Sequence, residues 1–150
     1  MKLSIGNDHA GHDLAMSLIR WLGENNTDIL YYGAFSRDEA VDYPDYATRV
    51  AKDVASNKTK FGILICKSGT GMCVAANKIR GVRAANCWDL EVARLAREHN
   101  DANILCLGSN FVDLKKAKNI INAFLQTEFE PRHLQRLGKI GMLENMMYHG

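Results

Sequence analysis

The sequence predicts an α/β fold with three layers, α/β/α, built on a five-stranded parallel Rossmann-like sheet and followed by a C-terminal helix. Short apolar runs alternate five times with longer amphipathic segments, which is typical of a parallel sheet with helices on both faces. The run Phe61–Cys66 (FGILIC) is apolar almost throughout, as in a strand covered on both faces. No repeat or linker interrupts the chain, so we expect residues 1–150 to form a single domain.

Turn residues and hydrophobic periodicity divide the chain into elements. The predicted strands are residues 1–6, 28–32, 61–66, 82–86 and 102–107. The predicted helices are residues 11–25, 44–56, 72–79, 89–100 and 112–126, with a last helix that opens at Pro131 and ends near Gly138 or Gly150. In the first helix, Leu14, Leu18 and Leu22 recur on one face, which is the pattern of a helix packed on a core.

Composition and charge exclude several classes of protein. With 47% hydrophobic residues, 24% charged residues and only 2 Pro, the chain is neither collagen-like nor disordered. No apolar run approaches the roughly 20 residues of a membrane span, and the N-terminus lacks the apolar core of a signal peptide, so we expect a cytoplasmic protein. A formal charge of +2 is too near neutral to indicate nucleic acid as a main partner.

The sharpest local feature is the glycine-rich turn at residues 67–71 (KSGTG), which follows Cys66 at the end of the buried third strand. Glycines let the backbone approach a ligand and turn its N–H groups inward, and a helix N-terminus adds positive potential. An oxyanion or a thiolate is therefore favoured there. The alternatives are a plain tight turn beside a buried thiol and a dinucleotide site, although the pattern is not G-x-G-x-x-G. The other cysteines, Cys73, Cys87 and Cys106, are expected to be reduced, buried thiols.

The first loop, residues 7–13 (NDHAGHD), is dense in acids and histidines at the carboxyl end of the first strand. Asp8, His9 and His12 could ligate a metal, but their spacing does not match the usual zinc sites, and we expect none. A second interpretation is that Asp8 or His9 caps the following helix. Their position at the end of a parallel strand favours a third, in which Asp8 and His9 bind a substrate.

Two further features lie late in the chain. His99 ends the fourth helix and precedes a strand, so it belongs to the opposite edge of the sheet and looks structural unless another chain brings that edge to a site. Arg132 and Arg136 share a helical face, and paired guanidinium groups suit a phosphate. The alternative is a solvated basic face, which is how we interpret Lys115 and Lys116 on the fifth helix.

Several motifs, taken in order along about residues 1–137, carry a family resemblance. They are residues 6–9 with Gly11; Asp42, Tyr43 and Pro44 with Tyr46 and Ala47; residues 62–66; Gly69 and Gly71; residues 75–78; Gly81 with Arg83 and Ala84; residues 99–101 with Asn103; Gly108 and Ser109; and Arg132, His133, Gln135 and Arg136. In this combination the chain resembles the ribose-5-phosphate isomerase B family, which also includes the galactose-6-phosphate isomerase subunits.

The resemblance implies an aldose–ketose isomerase that uses neither a metal nor an organic cofactor. It implies a homodimer, or a tetramer of two such dimers, in which each active site takes residues from two chains. Ribose 5-phosphate and ribulose 5-phosphate are the expected substrates. The alternatives are another sugar phosphate, a hexose or a tetrose, and a non-catalytic subunit that binds sugar phosphate.

The resemblance also implies a role for each candidate residue. Cys66 is the expected base for the proton on the carbon next to the carbonyl, and Ser68 with the N–H groups of Gly69, Thr70 and Gly71 is expected to hold the enediolate oxygen. His99 is expected to assist ring opening. The expected sugar contacts are Asp8, Tyr43 and Asn100, and the expected phosphate contacts are His9, Arg132 and Arg136.

Two positions depart from the family pattern. Lys67 stands where the family usually has Gly, and it either contacts substrate, favours the thiolate or points away. Asn110 stands where many members carry Arg or Lys, a further phosphate contact. Residues 138–150 have no clear counterpart, and the apolar stripe of Met142, Leu143, Met146 and Met147 predicts packing or a dimer contact.

Overall fold

The fold is described from a computed structural model, which places residues 1–149 and the side chains through Met146. The strands are β1 (Lys2–Asn7), β2 (Asp28–Gly33), β3 (Phe61–Cys66), β4 (Ala84–Asn86) and β5 (Ile104–Gly108). The helices are α1 (His12–Glu24), α2 (Tyr43–Ala55), α3 (Thr70–Ala76), α4 (Leu90–Asn100), α5 (Leu114–Gln126) and α6 (Leu134–His149). A 3-10 turn, Pro131–His133, leads into α6.

The five strands form one parallel sheet in the order β2-β1-β3-β5-β4, and the predicted fold class is confirmed. Side chains alternate between its faces, as strand geometry requires. In β3, Ile63 and Ile65 pack against α1, α4 and α5, whereas Leu64 and Cys66 pack against α2 and α3. Cys66 therefore faces the helical layer of α2 and α3, and α3 is the helix that follows the turn after Cys66.

The strand order reverses between β1 and β3, and this reversal opens a crevice. After β1 the chain crosses to β2 at one edge of the sheet, whereas after β3 it goes to the other half. The loops that leave the adjacent carboxyl ends of β1 and β3 therefore diverge, which is where open α/β sheets bind ligands. Asn7 pairs with Ile65 in the parallel register, so residues 8–11 and 67–69 start side by side.

Several predicted boundaries shift by one or two residues, and local contacts explain two of these shifts. Helix α3 begins at Thr70 rather than at residue 72, because Gly69 takes a left-handed conformation, φ 80°, and starts the helix early. Strand β4 begins at Ala84 rather than at residue 82, because the Arg83 N–H donates to Oδ1 of Asn103 (2.8 Å) instead of joining the ladder.

The last helix continues past Gly138 to His149 and leaves a row of apolar side chains in solvent. Leu134, Met142, Leu143 and Met146 are each at least 60% exposed. The predicted stripe is thus present through Met146, while the Met147 side chain and Gly150 lie outside the described part of the chain. Among residues 1–149, no helix combines the length and the apolar character that a membrane span requires.

Candidate active site

The glycine-rich turn after β3 directs a backbone donor at a sulfur. The Gly69 N–H donates to Sγ of Cys66 (3.2 Å), and only 5% of Cys66 is exposed. The Ser68 hydroxyl accepts from the Thr70 N–H (3.3 Å). A Cβ on Gly69 would lie 2.4 Å from Oδ1 of Asn86, so only glycine fits this turn. The result is a sulfur and a hydroxyl held by backbone groups at the edge of the crevice.

The loop after β5 supports this turn from one side. The Ser109 N–H donates to the carbonyl of Cys66 (2.8 Å), and the Asn110 N–H donates to the carbonyl of Lys67 (3.1 Å). A Cβ on Gly108 would lie 2.6 Å from the backbone of Ser68, so the two loops touch through main-chain atoms. Lys67 and Asn110, the two departures from the family pattern, are thus neighbours, and both are exposed.

Asn86 supports the turn from below and escaped the sequence analysis as a site residue. Its Nδ2 donates to the carbonyl of Ser68 (3.2 Å) and to Oγ1 of Thr70 (3.1 Å). One amide group thereby ties both sides of Gly69 to the end of β4. The available signal was a polar residue at the carboxyl end of a strand, which is where ligand loops of such sheets begin.

The first loop lies against the same edge. Asp8 is 6% exposed, its N–H donates to the carbonyl of Ile65 (3.3 Å), and its Oδ1 accepts from the Gly11 N–H (3.0 Å) just before α1. The N-cap of α1 is Gly11, which receives no side-chain cap, so Asp8 stabilises the turn before the helix, and the capping interpretation of Asp8 and His9 is wrong.

His9 and Tyr43 complete this group. Nδ1 of His9 accepts from the Val41 N–H (3.2 Å), so the neutral ring carries its proton on Nε2, the donor that an anion requires. The Tyr43 ring packs so tightly on Gly71 that a Cβ there would lie 2.8 Å from Cζ. We name Asp8, His9, Tyr43, Cys66 and residues 68–71 the carboxyl-edge group.

A second group forms at the opposite end of the strands, where their amino ends lie. His99 and Asn100 end α4, and the chain then passes the start of β3, where the Gly62 N–H donates to the carbonyl of Asn103 (3.0 Å). His99, Asn100, Arg132, His133 and Arg136 line a cavity of about 340 Å³, which we name the amino-edge group. Within one chain this group lies across the sheet from Cys66.

Contacts within the amino-edge group are charged. Nη2 of Arg132 lies 3.5 Å from Nε2 of His99, and Nη1 of Arg136 lies 3.2 Å from Nδ1 of His133. Arg132 also pairs with the carboxylate of Glu130. A side-chain hydrogen bond shared with Glu98 and one donated by Arg132 lower the pKa of Glu130, so it is a carboxylate at neutral pH.

The spacing of three side chains here is compatible with metal ligation, unlike that of Asp8, His9 and His12. In the part of the chain that the structure describes, ligating atoms of His99, Glu130 and His133 lie within 4.8 Å of one another. However, the guanidinium groups of Arg132 and Arg136 between them contact all three side chains, and they repel a further cation. The arrangement favours an anion over a metal ion.

A separate cavity of about 500 Å³ adjoins the turn on the β4 and β5 side. It is lined by Ser68, Thr70, Asn86, Trp88, Gly108, Phe111 and Lys116. Trp88 and Phe111 are more than half exposed. Lys116, interpreted from the sequence as solvated surface, therefore borders a cavity next to the turn.

The remaining cysteines are free thiols with different surroundings. Burial raises the pKa of Cys87 to about 12, and Cys87 and Cys106 are buried as the sequence predicts. Cys73 is only half-buried, and a hydrogen bond with Cys106 lowers its pKa to about 7. The prediction of a buried thiol is wrong for Cys73, because α3 is short and its outer side faces solvent.

Comparison with known proteins gives consistent matches. The family profile described as Ribose/Galactose Isomerase matches residues 3–140. The chain is 43% identical over 137 residues to the probable ribose-5-phosphate isomerase B of Mycoplasma pneumoniae, which covers 91% of this chain and 90% of that protein.

Solved structures agree in fold. The ribose-5-phosphate isomerase B of Clostridium thermocellum superposes with a TM-score of 0.95 at 42% identity, covering 98% of this chain and 99% of that one. The Mycoplasma genitalium enzyme, solved with bound ribulose-5-phosphate, gives a TM-score of 0.91 at 39% identity, with 96% of each chain covered. The chain belongs to the ribose/galactose isomerase family, which confirms both the resemblance carried by its motifs and the predicted enzyme class, aldose–ketose isomerase.

Proposed function

We propose that this protein interconverts ribose 5-phosphate and ribulose 5-phosphate through an enediolate, with Cys66 as the base. The observation that carries the proposal is the Gly69 N–H pointing at Sγ of Cys66 at 3.2 Å, in a crevice where such sheets bind ligands. A donor in that position stabilises negative charge on sulfur, and the thiolate is the form that accepts a proton. The substrate class, a pentose phosphate, is proposed from the similar proteins that are named ribose-5-phosphate isomerase B.

The chemistry is a proton transfer between adjacent carbons. Cys66 removes the proton from the carbon next to the carbonyl, the C–H electron pair forms a C=C bond, and the carbonyl oxygen gains the charge. The Ser68 hydroxyl and the N–H groups of residues 69–71 hold that oxygen. A proton then passes from the hydroxyl of the deprotonated carbon to the oxygen that gained the charge. As the thiol returns its proton to the neighbouring carbon, the oxygen that lost its proton becomes the new carbonyl, so no external oxidant or reductant is consumed.

Binding of the rest of the substrate divides between the two groups. Asp8 and Tyr43 contact the sugar from the carboxyl edge, while His99 assists ring opening and Asn100 contacts a hydroxyl. The phosphate is bound by His9, Arg132 and Arg136, since two guanidinium groups and an imidazole N–H match its oxygens. Phosphate binding then holds the reacting carbons at the sulfur.

This division requires two chains. The carboxyl-edge and amino-edge groups lie at opposite edges of one sheet, so a complete site forms when the carboxyl edge of one subunit meets the amino edge of another. We therefore propose a homodimer with two shared sites, or a tetramer of two such dimers. Met142, Leu143 and Met146 on α6, all exposed in the single chain, offer apolar contact area for this assembly.

Subunit complementation tests the shared site. Cys66→Ala and His99→Asn are each expected to abolish turnover of ribose 5-phosphate. After the two proteins are mixed and allowed to exchange subunits, half of the dimers carry one intact site, so about one quarter of the wild-type activity should return. If the mixture stays inactive although exchange is shown by mass spectrometry, both groups act within one chain and the proposed arrangement is wrong.

A single substitution tests the base. Cys66→Ala should lower kcat by about 10²–10⁴-fold with the fold intact, because general base catalysis contributes that much. Cys73→Ala is the matched control, since it removes a thiol in the same layer that has no proposed role. Unchanged turnover in Cys66→Ala would exclude Cys66 as the base.

A second candidate function keeps the chemistry and changes the sugar. It is favoured by Lys67 and Asn110, which are adjacent, exposed and at variance with the family pattern. Specificity constants for tetrose, pentose and hexose phosphates distinguish the two, and a strong preference for a non-pentose would replace ribose 5-phosphate. A protein that binds sugar phosphate without turning any over would instead be a non-catalytic subunit.

A further inference from the structure

We propose that His133 is a positioning residue that sets both the phosphate-binding guanidinium of Arg136 and the ring of His99. The inference builds on the proposed function, in which those two residues serve phosphate binding and ring opening. His133 borders the cavity of the amino-edge group, but it is only 6% exposed, so its ring mainly contacts neighbouring side chains.

The His133 ring contacts three functional neighbours. It faces the His99 ring with centroids 4.4 Å apart and planes inclined by 36°. Its Nδ1 lies 3.2 Å from Nη1 of Arg136, and its Nε2 lies 3.8 Å from a carboxylate oxygen of Glu130. One buried ring thus lies between the imidazole of α4 and a guanidinium of α6.

The contacts determine which nitrogen carries the proton. A guanidinium only donates, so Nδ1 of His133 accepts from Arg136 and Nε2 bears the hydrogen. That hydrogen faces Glu130, whose carboxylate also pairs with Arg132. Nε2 is a buried atom with no hydrogen-bond partner within normal distance among the described residues, and the Glu130 carboxylate faces it at 3.8 Å.

Local charges keep this ring neutral. Burial lowers the pKa of His133, the nearby side chains of Arg132, His99 and Arg136 lower it further, and Glu130 opposes them. A neutral ring accepts from Arg136, whereas a protonated ring would repel it. Proton exchange with the sugar then falls to His99, the more exposed ring of the pair.

The backbone holds the arrangement together. The Glu130 N–H donates to the carbonyl of Glu98 (2.9 Å), and the His133 N–H donates to the carbonyl of Glu130 (3.1 Å). The segment that carries Arg132 and His133 is thereby attached to the last turn of α4, one residue from His99. These backbone hydrogen bonds fix the distance between the two segments. The contacts of the His133 ring then orient the side chains of Arg136 and His99.

Two variants separate the two functions of the ring. His133→Phe keeps the stacking surface and loses the acceptor for Arg136, so KM for ribose 5-phosphate should rise about tenfold with kcat within about threefold, as expected for a lost charged hydrogen bond. His133→Asn keeps an acceptor near Nδ1 and loses the stacked ring, so kcat should fall about tenfold with little change in KM. Leu134→Ala, an exposed neighbour, is the control and should leave both constants unchanged.

The opposite or an identical pattern in the two variants overturns the proposal, since a merely structural residue would change kcat, KM and thermal stability together. Nitrogen-15 NMR of the imidazoles in the wild-type protein provides a readout that needs no turnover and no variant. His133 should show the neutral ring with the proton on Nε2 across pH 6–8; a proton on Nδ1, or a charged ring, refutes the proposal. An enzyme inactive on ribose 5-phosphate would defeat the proposed function but leave the NMR result to decide this one.

Discussion

The carboxyl-edge group and the amino-edge group differ in how they are built and in the task proposed for each. The carboxyl-edge group is assembled mainly from backbone: Gly69 donates to the sulfur, and the turn is pinned by the loop that begins at Gly108. The amino-edge group is assembled from side chains on helix ends, with Arg132 and Arg136 exposed. A base must be held to a fraction of an ångström, whereas an anion needs charge that reaches out to it.

The difference predicts two kinds of sensitivity. Substitutions at the carboxyl edge should act through shape and lower kcat, because main-chain atoms there tolerate no added volume. Substitutions at the amino edge should act through charge, raise KM and depend on salt, because exposed ion contacts are screened.

Among substitutions that leave the proposed catalytic side chains in place, the largest effect is expected from Gly69→Ala. The added methyl group would lie 2.4 Å from Oδ1 of Asn86, and alanine is strained in the left-handed conformation that Gly69 adopts. The turn must therefore move, and kcat/KM should fall at least about 100-fold. Gly81→Ala is the matched control, because Gly81 has a similar φ of 84° and open space around its Cβ. Similar losses of thermal stability with activity lost only in the first variant would support the comparison; equal activities would break it.

Arg136→Ala should come next and should act differently. Removing one guanidinium from the phosphate contact is expected to raise KM by about 10–100-fold, with the wild-type salt dependence of KM reduced. Lys115→Ala makes the same change of net charge on α5, away from both groups, and should leave KM unchanged. A fall in kcat at constant KM would show that the amino edge is not the phosphate site.

Asn86→Ala tests the support beneath the turn. It deletes the hydrogen bonds to Ser68 and Thr70, so unfolding free energy should fall by about 1–2 kcal/mol and kcat by about tenfold. Asn77→Ala is the matched control. It removes a similar pair of hydrogen bonds, which join the end of α3 to Ala84 at the start of β4. We expect it to lose stability alone; comparable kinetics in both variants would remove Asn86 from the site.

The smallest effect on activity is expected from Asp53→Asn, which touches neither edge. Burial opposes charge on Asp53, but hydrogen bonds from Ser4 (2.7 Å), Tyr32 and Lys58 lower its pKa below the ordinary value. Because the folded pKa is depressed, this stabilisation is present above pH about 4 and is lost as pH falls through the folded pKa.

In denaturant titrations, Asp53→Asn should cost about 1–2 kcal/mol at pH 7, and the difference from wild type should shrink towards pH 3. Turnover at neutral pH should stay within about twofold. A difference that is constant with pH would show that the charge of Asp53 does not contribute.

Residues of the carboxyl-edge group are largely adjacent along the chain, whereas those of the amino-edge group come together only in the folded chain. Cys66 and its glycines are consecutive, so their proximity needs no tertiary information. His99 looked structural from one chain, because chain connectivity alone puts it at the wrong edge. Asn86, Glu130 and His133 were missed as site residues, since each acts on partners that only helix and strand packing brings near.

The sequence by itself determined three features, because periodicity and adjacency along the chain are local properties. They are the order of strands and helices, the thiol beside a glycine-rich turn, and the pair of arginines. The tertiary structure alone decided the sheet order β2-β1-β3-β5-β4, the crevice it opens between β1 and β3, and the gathering of His99, His133 and Arg136 around one cavity. Those features depend on which surfaces pack together, and packing is a property of the whole folded chain rather than of any segment.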